Sequence, residues 1–275
     1  MQDLTIGFIG GGNMARSLIG GLIADGVAAE NLMVADPDEG HCRALTAEFG
    51  IATRHDNAAV ASTADVVVLA VKPQLLHEVA TGLAELAGPG NRLFLSVAAG
   101  VRAADIERWL GEGTPLVRAM PNTPALVQSG ATGLFGNANT TEQQREAAEA
   151  ILRAVGLTLW VDEEAKLDAI TAISGSGPAY FFAFMEALEG AGEKLGLERE
   201  QARLLAVQTA FGAAKMALES PDEPGTLRER VTSPGGTTER ALEVLEAGGM
   251  RDLVNDATAA ARERAGELAD LLGEN

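Results

Sequence analysis

The sequence has little of several features that would each point to a particular kind of protein. Cys42 is the only cysteine among 275 residues, which excludes an internal disulfide and a metal centre built on cysteines. Basic residues number only 21 against 39 acidic ones, giving a formal charge of −18. A field of this sign repels phosphate groups, so nucleic acid and anionic lipid are not expected partners.

Long apolar runs are also missing. The longest strongly apolar stretch, Val66 to Val71, is far below the roughly 18 residues that a membrane-spanning helix needs. No basic start precedes an apolar stretch at the N-terminus, so no export signal is expected. These features predict a cytoplasmic protein without a membrane partner, and no metal site is indicated.

The sequence does contain enough apolar material to build sizeable cores. Hydrophobic residues make up 47% of the chain, glycine occurs 32 times, and the mean hydropathy is +0.08. This composition excludes a disordered chain, and the length suggests about two domains.

Residues 1–162 alternate short apolar runs with stretches of helical period. Several runs lack polar alternation, as expected for strands covered on both faces. The pattern predicts an α/β Rossmann domain with a doubly wound, mostly parallel sheet. The predicted strands are Thr5–Ile9, Leu32–Ala35, Val66–Ala70, Leu93–Val97, Pro115–Ala119 and Leu157–Val161.

Residues 163–275 contain no strand pattern and are predicted to form an all-α C-terminal domain. The segment Ala206–Leu218 lacks the polar face of a solitary surface helix, so we expect it to be buried between subunits. The predicted helices are Glu163–Ile173, Pro178–Leu195, Arg199–Ser220, Thr237–Ala247 and Arg251–Leu272.

A glycine-rich turn follows the first predicted strand. Gly10, Gly12 and Ala15 fit the pattern G-x-G-x-x-A, and an apolar helix follows. Gly10 would let the chain turn, Gly12 would let backbone N–H groups approach a pyrophosphate, and Ala15 would let helix and strand pack closely. The alternative is a tight turn without a ligand, but its position between a strand and a helix favours dinucleotide binding.

Asp36 ends the second predicted strand. A carboxylate there would accept hydrogen bonds from the adenosine ribose hydroxyls, which favours NADH over NADPH. No arginine follows directly, and Arg43 is the nearest cation in the sequence. An alternative also fits the residues, namely that Asp36 only caps the next helix ahead of Pro37.

Two further strand ends carry small or cationic residues. Lys72 follows the third long strand and would line the nicotinamide side of a coenzyme, although a solvated lysine at a strand end is equally consistent. Ser96 to Gly100 are small enough for a coenzyme to approach closely, although loop packing alone would also explain them.

Three loops in the second half of the sequence have unusual compositions. Arg118 to Pro124 leaves a strand through two prolines, Ser174 to Pro178 interrupts a helix, and Val231 to Thr238 opens another. In the last loop, glycines, hydroxyls and a helix N-terminus suit a carboxylate. The alternative is an ordinary helix cap by Thr237 or Thr238.

With these motifs the whole chain resembles the pyrroline-5-carboxylate reductases, which catalyse the last step of proline biosynthesis. The resemblance rests on Ile6 to Ala15, Val71 to Gln74, Met120 to Pro124, Ser174 to Tyr180 and Val231 to Leu242. It implies a Rossmann domain followed by a helical dimerisation domain that also binds substrate, in a homodimer often assembled further into a decamer. It also implies reduction of a small cyclic imine, 1-pyrroline-5-carboxylate, by NADPH or NADH.

The resemblance also assigns residues to each ligand. Substrate would bind at Ser233, Gly235, Gly236, Thr237 and Thr238, with Thr238 as the catalytic residue beside the ring nitrogen. Together with Asp36, the coenzyme site would comprise Ile9, Gly10, Gly11, Gly12, Asn13, Met14, Asn57, Ala70, Val71, Lys72, Pro73, Ser96, Val97 and Ala98. One departure concerns the coenzyme, because many members carry Asn-Arg or Ser-Arg where Asp36-Pro37 stands here.

Two other functions are compatible with a Rossmann domain joined to helices. A 3-hydroxyacid dehydrogenase or imine reductase has a similar architecture, but the hydroxyacid enzymes place a lysine on the helix that joins the domains. Here Lys166 precedes the segment from Ser174 to Pro178, and no lysine follows that segment until Lys194. A non-catalytic dinucleotide sensor would have no reason to carry the loop at 233–238. The three histidines, His41, His55 and His77, lie outside every motif and are expected at the surface.

Overall fold

The computed structural model describes residues 4–90 and 92–274, and the chain forms two compact units. One unit contains the chain up to Ser176 together with the segment from Ala261 onward, and the other spans Gly177–Ala260. The packing boundary therefore lies after the boundary predicted at residue 162, because the helix Lys166–Ile170 packs on a strand of the sheet.

The first unit is built on one eight-stranded sheet with the strand order β3-β2-β1-β4-β5-β6-β7-β8. All neighbouring pairs are parallel except β6 and β7, so the predicted doubly wound, mostly parallel sheet is confirmed. The six predicted strands each occur within one residue of their expected ends. The strands are β1 Ile6–Ile9, β2 Leu32–Ala35, β3 Ala52–Arg54, β4 Val66–Leu69, β5 Leu93–Ser96, β6 Leu116–Met120, β7 Gly130–Gly136 and β8 Gly156–Trp160.

Two strands were not predicted, β3 and β7. β3 has only three residues, and β7 contains three glycines, a residue type that strands normally disfavour. The glycine at 133 has a packing reason, since a Cβ there would lie 2.5 Å from the Ile170 side chain. Glycine at 133 is unfavourable for a strand, but it allows the helix that contains Ile170 to pack close against β7.

Helices cover both faces of the sheet and bury two separate apolar clusters. Along β4, Val66 and Val68 belong to one cluster, while Val67 and Leu69 belong to the other. This explains why the strand sequences show no polar alternation. The helices of this unit are α1 Asn13–Ala24, α2 Glu39–Phe49, α3 Asn57–Ala61, α4 Pro73–Gly82, α5 Ala103–Leu110, α6 Glu142–Arg153 and α7 Lys166–Ile170.

The second unit is entirely helical within the described residues, as predicted. Its first two helices pack closely, because a Cβ at Gly192 would lie 2.8 Å from the Ala202 methyl group. Within residues 4–90 and 92–274, no helix is long and apolar enough to cross a membrane. The helices are α8 Gly177–Lys194, α9 Arg199–Glu219, α10 Pro224–Arg230, α11 Thr237–Ala247 and α12 Met250–Gly273, of which only α10 was not predicted. The part of α12 from Ala261 onward belongs to the first unit.

Candidate active site

The carboxyl ends of four neighbouring parallel strands are in register. Ile9 on β1 is paired with Ala35 on β2 and with Leu69 on β4, and Leu69 is paired with Ser96 on β5. The order in which strands are added to the sheet reverses between β1 and β4, since β2 and β3 lie on one side of β1 and β4 lies on the other. In open α/β sheets, ligands bind at such a switch point beyond the carboxyl ends of the strands.

The glycine turn begins at this edge and needs its first glycine. Gly10 donates its N–H to the Ala35 carbonyl at 2.8 Å, and Ala70 donates to the Ile9 carbonyl at 2.8 Å. Gly10 has φ +98°, and a Cβ there would lie 2.6 Å from the Ala70 carbonyl oxygen. Only glycine fits this position, because other residues would be strained and would clash with the backbone.

The helix that follows the turn has an open N-terminus. Gly12 is the N-cap of α1, no side chain caps the helix, and no acidic residue lies in its first turn. A Cβ at Gly12 would meet no atom within 4 Å. Unpaired N–H groups at a helix N-terminus attract phosphate groups, so the residues here fit a dinucleotide pyrophosphate.

This open space leads to a test at Gly12. Because a Cβ at Gly12 touches nothing in the protein, we expect Gly12→Ala to leave the melting temperature within about 2 °C of wild type. The methyl group would stand in front of the helix N-terminus, so the Kd for coenzyme should rise about tenfold. Fluorescence titration with NADH and NADPH measures the Kd, and unchanged binding of both coenzymes would contradict a pyrophosphate at this turn.

Asp36 is tied to the glycine turn by its side chain. Its carboxylate is only 7% exposed and accepts hydrogen bonds from the Gly11 N–H at 2.6 Å and the Asp38 N–H at 2.7 Å. The alternative that Asp36 caps the next helix is wrong, because the N-cap of α2 is Asp38. The N–H groups of Gly40 and His41 bond to the Asp38 carboxyl and lower its pKa.

Two histidines next to Asp36 were not connected with the site by the sequence. Nδ1 of His41 lies 3.3 Å from the Asp36 carboxylate, and Nδ1 of His55 lies 2.9 Å from the Asp36 carbonyl oxygen. Both side chains are exposed, as predicted. The position of His41 relative to Asp36 depends on where α2 begins, and that of His55 depends on pairing between β2 and β3. Because β3 was not predicted, nothing in the sequence indicated the position of His55.

The other residues expected at the coenzyme lie along the same edge of the sheet. Lys72 is exposed and is the N-cap of α4, which begins with Pro73. Asn57 is the first residue of α3, beyond the end of β3. Contact of these residues with a coenzyme stays a prediction. The rest of the set adjoins β1, β4 or β5, comprising Ile9, Gly11, Asn13, Met14, Ala70, Val71, Ser96, Val97 and Ala98.

The loop with two prolines and the interrupted helix are joined by one side chain. Asn122 is 9% exposed, donates from Nδ2 to the Ser174 carbonyl at 2.9 Å and accepts the Ala131 N–H at 2.9 Å. Ser174 lies in a π-helical turn, Thr171–Gly175, and such turns are frequent at functional sites. The interruption predicted at Ser174 is therefore a change of helix type.

A buried ion pair fixes the segment that follows the sheet. Arg118 on β6 is 3% exposed, and its Nη1 lies 2.8 Å from Glu164 Oε1. The same carboxylate oxygen accepts the N–H of Ala103, the first residue of α5, at 2.7 Å. Glu164 thereby holds β6 and the start of α5 together, next to the loop that begins at Ser96. Nothing in the sequence indicated this role for Glu164.

The loop expected to bind an anion lies in the helical unit. Gly236 donates its N–H to the Ser233 carbonyl at 2.9 Å, and Gly235 has φ +71°, as in a turn that requires glycine at its third position. Gly236 is also the N-cap of α11, with no side-chain cap. The alternative that Thr237 or Thr238 caps the helix is therefore wrong.

Two features of α11 bear on ligand binding. The first N–H groups of a helix have no acceptor within the helix, and here no side chain caps them, so they are available to a carboxylate. Thr238 is half-buried, and within the described residues its hydroxyl is in no hydrogen bond with another group. A hydroxyl and a set of free N–H groups therefore lie within one helical turn.

Comparisons with known proteins identify a related family for the N-terminal and for the C-terminal part of the chain. Residues 164–268 match the family model described as pyrroline-5-carboxylate reductase dimerisation, and residues 5–100 match that of NADP oxidoreductase, coenzyme F420-dependent. A pyrroline-5-carboxylate reductase of Pseudomonas aeruginosa is 52% identical over 274 residues, covering 100% of both chains.

Solved structures give the same result. That of a pyrroline-5-carboxylate reductase from Coxiella burnetii has a TM-score of 0.94 and 48% identity, covering 97% of this chain and 98% of the other. A pyrroline carboxylate reductase from Plasmodium falciparum with NADP bound has a TM-score of 0.86 and 30% identity, covering 98% and 99%. The chain belongs to the pyrroline-5-carboxylate reductase family.

Proposed function

We propose that this protein reduces 1-pyrroline-5-carboxylate to L-proline with a reduced nicotinamide coenzyme. The observation that carries the proposal is the uncapped N-terminus of α11, which follows the turn Ser233–Gly236. A dinucleotide-binding turn alone occurs in many oxidoreductases and in dinucleotide sensors. A second loop that can bind an anion indicates, in addition, a small substrate that carries a carboxylate.

The substrate carboxylate is held by groups of one loop. The N–H groups at the start of α11 and the hydroxyl of Ser233 donate to its oxygens, and the positive end of the helix dipole favours its charge. Gly235 and Gly236 carry no side chain that would cover these N–H groups. Orientation of two reactants can lower a barrier by about 7–11 kcal/mol, and we assign most of the catalysis to such positioning.

Thr238 is the residue we place at the ring nitrogen. A C=N carbon accepts a hydride readily only when its nitrogen is protonated or strongly hydrogen-bonded. The Thr238 hydroxyl can donate to a neutral imine nitrogen or accept from a protonated one. When the nitrogen has been protonated by water, the hydroxyl accepts from its N–H, and that proton stays on the nitrogen as the hydride converts the iminium to the amine. A neutral imine takes the same proton from water.

The coenzyme residues position the second reactant. The open turn at Gly10 to Gly12 would hold the pyrophosphate, and Asp36 would accept hydrogen bonds from the ribose hydroxyls. When bound, the reduced nicotinamide supplies the hydride that converts the C=N carbon, a CH group, to the CH₂ group beside the nitrogen of proline. Ser96 to Ala98 and Ala70 to Pro73 would line the nicotinamide end.

A lysine acid of the hydroxyacid dehydrogenase type is not supported. The Lys166 ammonium is exposed and donates to the Asp162 carboxylate at 2.5 Å. This hydrogen bond raises the pKa of Lys166 and holds the ammonium on the Asp162 carboxylate. The arrangement favours imine reduction over a reaction that needs a lysine general acid.

Nicotinamide absorbance gives the direct test of the proposed reaction. The purified chain is mixed with 1-pyrroline-5-carboxylate and each reduced coenzyme in turn, and L-proline formation is confirmed by mass spectrometry. A parallel assay supplies 3-hydroxyisobutyrate with the oxidised coenzymes. Turnover of only the hydroxyacid, or coenzyme binding without any turnover, would refute the proposal.

We further propose that the helical unit forms a homodimer. Many large apolar side chains of α8 and α9 are exposed in the single chain, including Phe211 at 60% and Leu218 at 89%. Burying such surface is worth about 25 cal/mol per Å². The predicted burial of Ala206–Leu218 between subunits would remove this exposure.

Light scattering after size exclusion tests the assembly. We expect at least a dimer at micromolar concentration, and Phe211→Asp should shift it towards monomer because a charge would then be buried. A wild-type monomer would contradict the interface. Two finer proposals, assembly to a decamer and a cytoplasmic location, are tested by the measured mass and by cell fractionation.

A further inference from the structure

A side chain of the protein already occupies part of the loop assigned to the substrate. Gly235 donates its N–H to Oε2 of Glu239 at 2.6 Å. Glu239 lies in the first turn of α11 and is half-buried. The Glu239 carboxylate thus already accepts one backbone N–H of the loop in which the substrate carboxylate is expected to bind.

In the part of the chain that the structure describes, no cationic side chain is paired with Glu239. The adjacent Arg240 is paired with Glu243 at 2.6 Å. Arg230, further back along the chain, is paired with Asp222. A carboxylate that is not neutralised repels a second carboxylate brought to within a few ångströms of it.

We propose that Glu239 is a specificity-determining residue that weakens binding of the substrate carboxylate by competing for the loop. The inference rests on the proposed function, since it assumes that this loop binds 1-pyrroline-5-carboxylate. When the substrate enters, Glu239 must either give up the Gly235 N–H or remain beside a like charge. Both raise the KM, and both also favour release of L-proline, which carries the same carboxylate.

The same hydrogen bond is also compatible with a role in which Glu239 helps the loop to bind substrate, and that role predicts the opposite change in KM when Glu239 is replaced. A glutamate in the first helical turn that reaches back to a backbone N–H stabilises the start of a helix. If that were its whole contribution, Glu239 would organise the loop for the substrate, and removing it would raise the KM. The sign of the change in KM therefore separates competition from organisation.

Glu239→Gln is the variant of choice because glutamine keeps an oxygen that can accept the Gly235 N–H while the charge is lost. We expect the KM for 1-pyrroline-5-carboxylate and the inhibition constant of L-proline to fall about three- to tenfold. The kcat and the KM for coenzyme should change by less than about twofold. Glu239→Ala, which removes both charge and acceptor, is the second variant and should lower the same two constants.

Two controls isolate the charge at the loop. Glu243→Gln makes the same charge change on the same helix, at a residue paired with Arg240, and should leave the KM unchanged. 1-Pyrroline, a cyclic imine without a carboxylate, should show no change in KM between wild type and Glu239→Gln. An unchanged or raised KM for 1-pyrroline-5-carboxylate in Glu239→Gln, or an equal effect of Glu243→Gln, would overturn the inference.

Failure of the two proposals can be distinguished. If the wild-type chain does not reduce 1-pyrroline-5-carboxylate with either coenzyme, the proposed function itself fails. If the wild type is active and Glu239→Gln has an unchanged KM, only the competition by Glu239 fails.

Discussion

Replacing Thr238 by alanine is expected to lower kcat about a hundredfold, the loss typical when one preorganised hydrogen-bonding group is removed from a reacting centre. The hydroxyl is half-buried and, within the described residues, is in no hydrogen bond that would otherwise occupy it. Because we assign the coenzyme to the glycine turn, the Kd for NADH and NADPH should change less than about twofold. Stopped-flow absorbance and fluorescence titration measure the two quantities.

Two further variants separate hydrogen bonding from packing at this position. Thr238→Ser keeps the hydroxyl and should retain activity within about fivefold, whereas Thr238→Val keeps the shape and should resemble alanine. A Thr238→Ala enzyme as fast as wild type would remove Thr238 from the reaction and leave positioning of the carboxylate as the role of the loop.

The sequence predicted those parts of the fold that depend on local pattern. The strands from Val66 and from Leu93 are continuous apolar runs because helices cover both of their faces, and such runs can be recognised directly. The limits of α11 were correct because Gly236 precedes the helix and glycines follow Ala247. Local chemistry determines such boundaries.

Features that depend on tertiary packing could not be predicted. β7 contains glycine at 133 because the side chain of Ile170 lies against it, and this contact overrides β-propensity. The buried pair of Arg118 and Glu164 joins residues that are far apart in the sequence. A charged residue carries no local signal of its partner, so neither side chain was singled out.

The candidate site was predicted unevenly for the same reason. The turn at Gly10 and the loop at Ser233 are each formed by consecutive residues, so their residue types alone indicate a tight turn in front of a helix. The bond between Gly235 and Glu239 spans four residues, and only the structure distinguishes it from a solvated side chain. Alternatives about helix capping at Asp36 and Thr238 also required coordinates, because capping residues and ligand-binding residues have the same composition.

Replacement of Asp36 by asparagine is expected to change the coenzyme preference about a hundredfold. In the wild type, the buried carboxylate accepts the Gly11 N–H at 2.6 Å. From this position it would accept hydrogen bonds from the ribose hydroxyls and would repel a 2′-phosphate. We therefore expect kcat/KM with NADH to be at least comparable to that with NADPH. In Asp36→Asn, the efficiency with NADH should fall and that with NADPH should rise.

Asp38→Asn is the matched control for this change of charge. Asp38 lies two residues away and caps α2 through the N–H groups of Gly40 and His41. Asparagine caps a helix about as well as aspartate, so Asp38→Asn should leave the stability nearly unchanged and should not reverse the coenzyme preference. The ratio of kcat/KM for the two coenzymes is measured for the three proteins under one set of conditions. A wild-type ratio that favours NADPH by about a hundredfold, equal to about 2.8 kcal/mol, would show that Asp36 does not repel the 2′-phosphate. In that case its carboxylate would serve only to hold Gly11 and Asp38, and His41, whose Nδ1 lies 3.3 Å from it, would be the next residue to replace.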